Sequence, residues 1–274
     1  MDIEILGPLD VRLDGTSIVP SAGKPRQILA LLALRAGRIV PVPVLMEEIW
    51  GDRIPRSAQT TLQTYILQLR RRIDAARPAA RRPAAKDVLS TRFGGYQLSE
   101  PVGRSDAGEF QRLTAQGSAA LERGEAGHAA ELLGSALGLW QGPALVDVPT
   151  GSVLATEILG IEEARARAIE LRVEADLRLG RHSELIGELR TLAARHPLHE
   201  TFHAQLMIAL YRSGHTWRAL EVYQQLRTTL VGELGVEPSG RIRALHQQVL
   251  NGSQDRPLSN SHAGHAYELD LTRP

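Results

Sequence analysis

Cysteine is absent from all 274 residues, which excludes disulfides, cysteine-ligated zinc, iron–sulfur clusters and thiol catalysis, and permits a reducing compartment. Long apolar runs are absent as well. The longest, Ile28 to Leu34, falls far short of the roughly 20 residues that a membrane-spanning helix needs. No charged segment followed by an apolar stretch opens the chain, so the expectation is a cytoplasmic protein without a membrane partner. Lysine is scarce, only Lys24 and Lys86, and the basic charge is therefore almost all arginine. There is no Walker-type phosphate loop, no dinucleotide-type glycine pattern and no G-x-S-x-G nucleophile elbow. The expectation is a protein that is not an enzyme and carries no cofactor or metal.

What is present is an apolar content of 43%, enough for about two domains that each bury a core. The formal net charge of +1 hides an asymmetry: residues 1–100 hold 15 Lys and Arg against 10 Asp and Glu, whereas residues 101–274 hold 17 against 21. Between Arg53 and Arg92, ten basic residues face only Asp74 and Asp87. A basic patch on a near-neutral protein points to a polyanion at one face. A solvated arginine-rich face is the plainer alternative.

The order of elements follows from periodicity and punctuation. Ile3, Ile5 and Leu6, then Val11 and Leu13, then Ile18 and Val19 around Asp14-Gly15 read as short strands with a hairpin. Residues 21–37 switch to helical spacing and end at Gly37. Pro43 opens a second helix that Gly51 stops, and Ser57 is placed to cap a third that runs to about Arg77. The stretch ARPAARRPAAK reads as a loop, and residues 88–98, VLSTRFGGYQL, as a second hairpin turning at Gly94-Gly95. Residues 99–105 read as a linker. Beyond it the spacing predicts helices over 106–123, 127–139, 152–179, 183–195, 199–213, 217–232 and 239–250, with the WQGPALVDVP loop as the one long break. The glycines of Leu179-Gly180-Arg181 and Ser213-Gly214-His215 lie 34 residues apart, the period of tetratricopeptide helix pairs, which bind proteins. Residues 252–274 read as a disordered tail.

The third helix carries the most informative pattern. On a wheel of about 100° per residue, Leu62, Ile66, Leu69 and Ile73 form one face, which is expected to pack on the first two helices. Thr60, Thr64, Leu67, Gln68 and Arg71 point away, with Gln63 and Arg70 on one flank and Thr61, Tyr65 and Arg72 on the other. Gln and Arg can make paired hydrogen bonds to base edges, Thr and Leu can touch thymine methyls, and flanking Arg can neutralise phosphates. An ordinary charged helix face is the alternative. Three helices of which the last is basic, followed by a hairpin bearing Arg92 and Tyr96, give the order of a winged helix-turn-helix, whose hairpin reaches the minor groove or backbone. Tyr96 on its own reads more as core than as contact.

The segments LLALRAGRIVPVPVLMEEIWG, RSAQTTLQTYILQLRRRI and STRFGGYQL resemble the DNA-binding domain of the Streptomyces antibiotic regulatory protein (SARP) family. LGLWQGPALVDV, ADLRLGRHSEL, LMIALYRSG, ALEVYQQLRTTLVGELGVEPS and RALHQQVL are similar to the bacterial transcriptional activation domain that accompanies it. Together they cover roughly residues 1–250. The resemblance implies a mainly α fold: an OmpR-like winged helix-turn-helix with small β-sheets and a hairpin wing over residues 1–98, then an all-α, tetratricopeptide-like activation domain over 106–251. It implies an activator of a secondary-metabolite gene cluster, in the narrower reading an aromatic polyketide one, that binds tandem direct repeats in promoter DNA as two protomers side by side. RNA polymerase, through its sigma factor and alpha subunit, is the implied protein partner. The carried-over contact positions are Thr60, Thr61, Thr64, Tyr65, Leu67, Gln68, Arg70 and Arg71 on the helix and Ser90, Arg92 and Tyr96 in the wing; Arg72 joins them as a flanking cation. Leu67 departs from the OmpR-type pattern, which often has a basic residue there, and suits a thymine methyl or no contact.

Two rival readings stay open at this point. A helical-repeat adaptor that binds proteins alone would leave the basic helix merely solvated, and a repressor would share the fold of an activator. His196, His199 and His203 have a spacing that raises a metal site, but Pro197 interrupts the helix start and Glu200 is the only carboxylate nearby, so they read as ordinary histidines.

Overall fold

The computed structural model describes residues 1–76, 84–99 and 101–254, and the chain divides into two compact units, Met1–Gly180 and Arg181–Pro274. The first unit opens with strands β1 (Asp2–Glu4), β2 (Asp10–Leu13) and β3 (Thr16–Ser17), followed by helix α1 (Gly23–Leu34), strand β4 (Ile39–Pro41) and helices α2 (Val42–Trp50) and α3 (Ala58–Ala76). A short helix α4 (Ala85–Val88) leads into β5 (Leu89–Arg92), β6 (Gly95–Leu98) and β7 (Arg104–Ser105), and helices α5 (Asp106–Glu122), α6 (Ala126–Leu137) and α7 (Ser152–Arg178) complete the unit. One sheet has the order β3-β2-β1-β7 and a second the order β4-β6-β5.

The apolar periodicity explains these elements. Ile3, Val11 and Leu13 turn inward from the first sheet while Arg12 faces out, and Ile28, Leu29, Leu31 and Leu32 bury α1 almost entirely. Three short pieces depart from the sequence expectation. Ile39–Pro41 is a strand because Val40 pairs with Tyr96. Within the expected linker, Arg104–Ser105 pairs in parallel with Asp2–Ile3, and the Ser105 hydroxyl accepts the Gly108 amide at the start of α5. Within the expected loop, Ala85 and Lys86 are helical because the Asp87 carboxylate accepts the Ala84 amide and Asp74 on α3 accepts that of Ala85; its residues 77–83 lie outside the described residues. Helix α11 carries on to Gln254, past the expected end at 250, and the rest of the expected tail, residues 255–274, is likewise outside them.

A single hydrophobic core runs from Ile3 to Ala168, so residues on both sides of segment 99–105 share it. Buried polar ties reinforce this. Asp106 accepts the amides of Ile5 and Leu6, each at 2.8 Å, while in the WQGPALVDVP loop the Gln141 and Leu145 amides donate to Leu6 and Ile5. Glu48 of α2, 2% exposed, accepts the amides of Gly151 and Leu154 at 2.6 and 2.8 Å and the Gln27 side chain at 2.6 Å. Its carboxylate thus satisfies amides at the N-terminus of α7, where the helix dipole also favours negative charge.

The second unit consists of α8 (His182–Arg195), α9 (Glu200–Arg212), α10 (Thr216–Leu234) and α11 (Gly240–Gln254). Helix α9 packs against the other three and buries Phe202, Leu206, Met207 and Leu210. On α11, Ile242, Leu245 and Val249 are buried at helical spacing. The glycines of the 34-residue match, Gly180 and Gly214, both have left-handed φ values, +79° and +83°.

Candidate nucleic-acid interface

Helix α3 presents two faces of opposite character. Leu62, Ile66, Leu69 and Ile73 are each no more than 1% exposed, which fixes the helix against the core and leaves Thr60, Gln63, Thr64, Leu67, Gln68 and Arg71 in solvent. The hydroxyls of Thr61 and Thr64 donate back to the Ser57 and Thr60 carbonyls, both at 3.0 Å. That bond uses the hydroxyl proton and leaves each threonine a methyl group and acceptor lone pairs to offer outward. Leu67 is 49% exposed, with no charged partner on its side chain. Arg71 is exposed and makes no hydrogen bond or ion pair among the described residues.

The flanking residues divide differently. Arg70 is half-buried and faces the hairpin, donating from Nε and Nη2 to the Leu89 carbonyl at 3.0 and 2.8 Å and from Nη2 to the Thr91 hydroxyl at 2.8 Å. Arg72 reaches the Val19 carbonyl at 3.2 Å. Thr61 and Tyr65 are half-buried, with Tyr65 packed against the core. These contacts orient the helix and hold the hairpin beside it.

In the hairpin, strands β5 and β6 pair from Leu89↔Leu98 to Arg92↔Gly95, so the turn is Phe93-Gly94 and not the expected Gly94-Gly95. Arg92 is the last paired residue, one short of the tip; its Nε donates to the Gln97 side chain at 3.0 Å. Gln97 in turn donates to the Gly37 carbonyl. Gly95 sits where a side chain would strike the Val40 carbonyl, which seats β6 against β4. Ser90 is buried and shares a hydrogen bond with Ser99 at 2.8 Å. Tyr96, 8% exposed, belongs to the core, in keeping with the reading of its residue type alone. Of the carried-over positions, Thr60, Thr64, Leu67, Gln68, Arg71 and Arg92 lie together on an accessible surface. Ser90 and Tyr96 support it from beneath.

Two features escape sequence reasoning. Arg70, Lys86, Asp87, Ser90, Thr91 and Arg92 line an open cleft of about 470 Å³ between helix and hairpin, with three cations against one carboxylate. Phe93 at the tip is wholly exposed. Its position before Gly94-Gly95 was the available signal, since a side chain at the apex of a hairpin turn has little to pack against.

Of His196, His199 and His203, two pack on one ring: His199 stacks on Phe202 at 4.3 Å between centroids, and His196 lies 5.6 Å from the same ring. The His203 Nδ1 meets the His199 carbonyl at 3.1 Å, and burial holds its pKa below the ordinary histidine value, against the opposing effect of that hydrogen bond. No group of three His, Asp or Glu side chains among the described residues could hold a metal ion. None of their helices is long and apolar enough to cross a membrane.

Comparison with known proteins agrees with this arrangement. Residues 17–98 match the family described as transcriptional regulatory protein, C terminal, and residues 105–250 match the bacterial transcriptional activator domain. The chain is 52% identical over 250 residues to the regulatory protein DnrI of Streptomyces peucetius, covering 91% of this chain and 92% of that one. It is 35% identical to the transcriptional regulator RedD of Streptomyces coelicolor, covering 91% and 70%. A solved structure of Mycobacterium tuberculosis EmbR in complex with a low-affinity phosphopeptide superimposes with a TM-score of 0.82 at 32% identity, over 94% of this chain and 66% of that one. An OmpR-like regulatory domain followed by a bacterial transcriptional activator domain, with relatives of this identity, makes the chain a member of the SARP family of transcriptional activators.

Proposed function

We propose that the exposed face of α3 reads the major groove of promoter DNA, with the β5–β6 hairpin against the neighbouring backbone or minor groove. The observation that carries this reading is the division of α3, four apolar residues locked into the core and Thr60, Thr64, Leu67, Gln68 and Arg71 presented together. Arg71 can donate two hydrogen bonds to guanine, Gln68 can donate to N7 and accept from N6 of adenine, and Leu67 and the threonine methyls suit thymine. Arg72, Arg92 and Lys86 serve the phosphates. Two protomers would sit side by side on tandem direct repeats, on one side of the duplex if the repeats are one helical turn apart. Residues 106–251 would then act as the platform that recruits RNA polymerase through its sigma factor and alpha subunit. The regulated genes would be a secondary-metabolite cluster, aromatic polyketide synthesis being the narrower suggestion, and the protein would work in the cytoplasm at the nucleoid.

Run-off transcription with purified polymerase tests this reading. On a template whose promoter the protein protects from nuclease, added protein should raise transcript yield, and Arg71→Ala should need a higher concentration for both protection and activation. Folded protein that protects no promoter sequence would favour the adaptor. Protection with lowered yield would make it a repressor.

A further inference from the structure

We propose that Phe93 is an apolar wedge that the hairpin drives between base steps of the minor groove beside the sequence read by α3. The inference rests on the DNA-reading assignment of α3 and its hairpin. Of the three phenylalanines in the chain, Phe110 and Phe202 are buried and Phe93 is exposed at 105% of its reference area. It makes no ring contact with any described residue. A solitary fully exposed aromatic at the apex of a hairpin gains nothing for the fold, because it removes no apolar area from water.

The tip is held where it stands. The Gly94 carbonyl accepts the Val42 amide at 2.9 Å, Arg70 pins β5 through the Leu89 carbonyl, and Gln97 pins β6 to Gly37 at 2.7 Å. Gly94 takes the left-handed φ of +76° that closes the two-residue turn. Phe93 is therefore carried, wholly exposed, on a braced support.

Its surroundings choose the partner. An aromatic that docks into a protein has mostly apolar neighbours around it, but Phe93 is flanked by Thr91, Arg92 and Gly94, the cleft behind sets Arg70, Lys86 and Arg92 against Asp87, and the exposed Ile39 lies beside Gly95. An apolar tip framed by cations matches a minor groove, where stacked bases lie between two rows of phosphates and apolar side chains can part a base step.

The test replaces individual adenines flanking the α3 site with 2-aminopurine, whose fluorescence rises when the base unstacks, and titrates full-length wild-type chain, Phe93→Ala and Phe93→Leu. Wild type should brighten one position beside the site. Phe93→Ala should abolish that rise and bind about tenfold more weakly, as expected for the loss of one buried aromatic, with the salt slope unchanged because no phosphate contact is removed. Phe93→Leu should keep part of the signal. Equal affinity and equal brightening for Phe93→Ala would overturn the proposal. So would full DNA binding by Phe93→Ala with loss of activation by polymerase, which would assign the ring to a protein partner. If the wild-type chain forms no sequence-specific complex at all, the assignment of α3 fails and the wedge falls with it.

Discussion

Arg70 and Arg71 are neighbours in sequence with separate duties. Arg71 is exposed on the outward face of α3, and its replacement by alanine is expected to weaken operator binding by about 1–3 kcal/mol and relax preference at one base pair. Ranking operator variants by affinity checks this, and an unchanged ranking would contradict it. Arg70 is spent inside the protein, on the Leu89 carbonyl and the Thr91 hydroxyl. Arg70→Ala should therefore weaken binding to all sequences alike, with no change in ranking, because it loosens the hairpin; a shifted ranking would return Arg70 to base contact. Leu69, 1% exposed, should cost about 2–5 kcal/mol of stability when cut to alanine, and an unchanged melting temperature would contradict the placement of the helix. The apolar and polar faces of α3 were legible from spacing alone. The role of Arg70 was not, because it depends on where β5 lies alongside α3, a tertiary register that no periodicity carries.

Among the elements, helices α5–α11 were foreseen to within a few residues because each is long enough to repeat its apolar spacing and ends at glycine, proline or a polar turn. Strands β4 and β7 and helix α4 have two to four residues, too few to show a period, and exist because a partner edge or a carboxylate meets them. The contact of α2 with α7 was equally hidden. Glu48 and Gly151 are 103 residues apart, and nothing local marks Glu48 as buried. Replacing Glu48 with alanine should cost about 1–3 kcal/mol for each amide left without an acceptor. Gly151→Ala should destabilise as well, since a β-carbon there would fall 2.1 Å from the Glu48 carbonyl oxygen. Thermal unfolding measures both, and wild-type stability in either variant would show that α7 does not depend on this contact.

At the scale of the whole molecule, the two family regions and the two compact units do not share a boundary. The families meet between residues 98 and 105, inside the first unit, while the units part after Gly180, within the activator region. Helices α5–α7 are thus built onto α1–α3 through a common core, and composition, which shifts near residue 100, could not show this. The second unit carries a pH signature. Burial lowers the pKa of His203, His182 and His246, with Arg212 adding to the effect at His182. The unfolded chain therefore takes up protons first as pH falls through about 6.5, and stability is lost from there down through the lower folded values. The melting temperature should drop between pH 7 and pH 5, and His203→Gln should flatten the drop; a variant as steep as wild type would remove His203 from the account. The central claim, that α3 reads sequence, is tested most directly by selecting bound fragments from random duplex DNA at physiological salt with wild type and Arg71→Ala in parallel. Wild type should enrich a short motif in tandem, and the variant should blur it at a defined base. Folded wild-type protein that enriches no motif, or a variant that enriches the same motif as sharply, would contradict it.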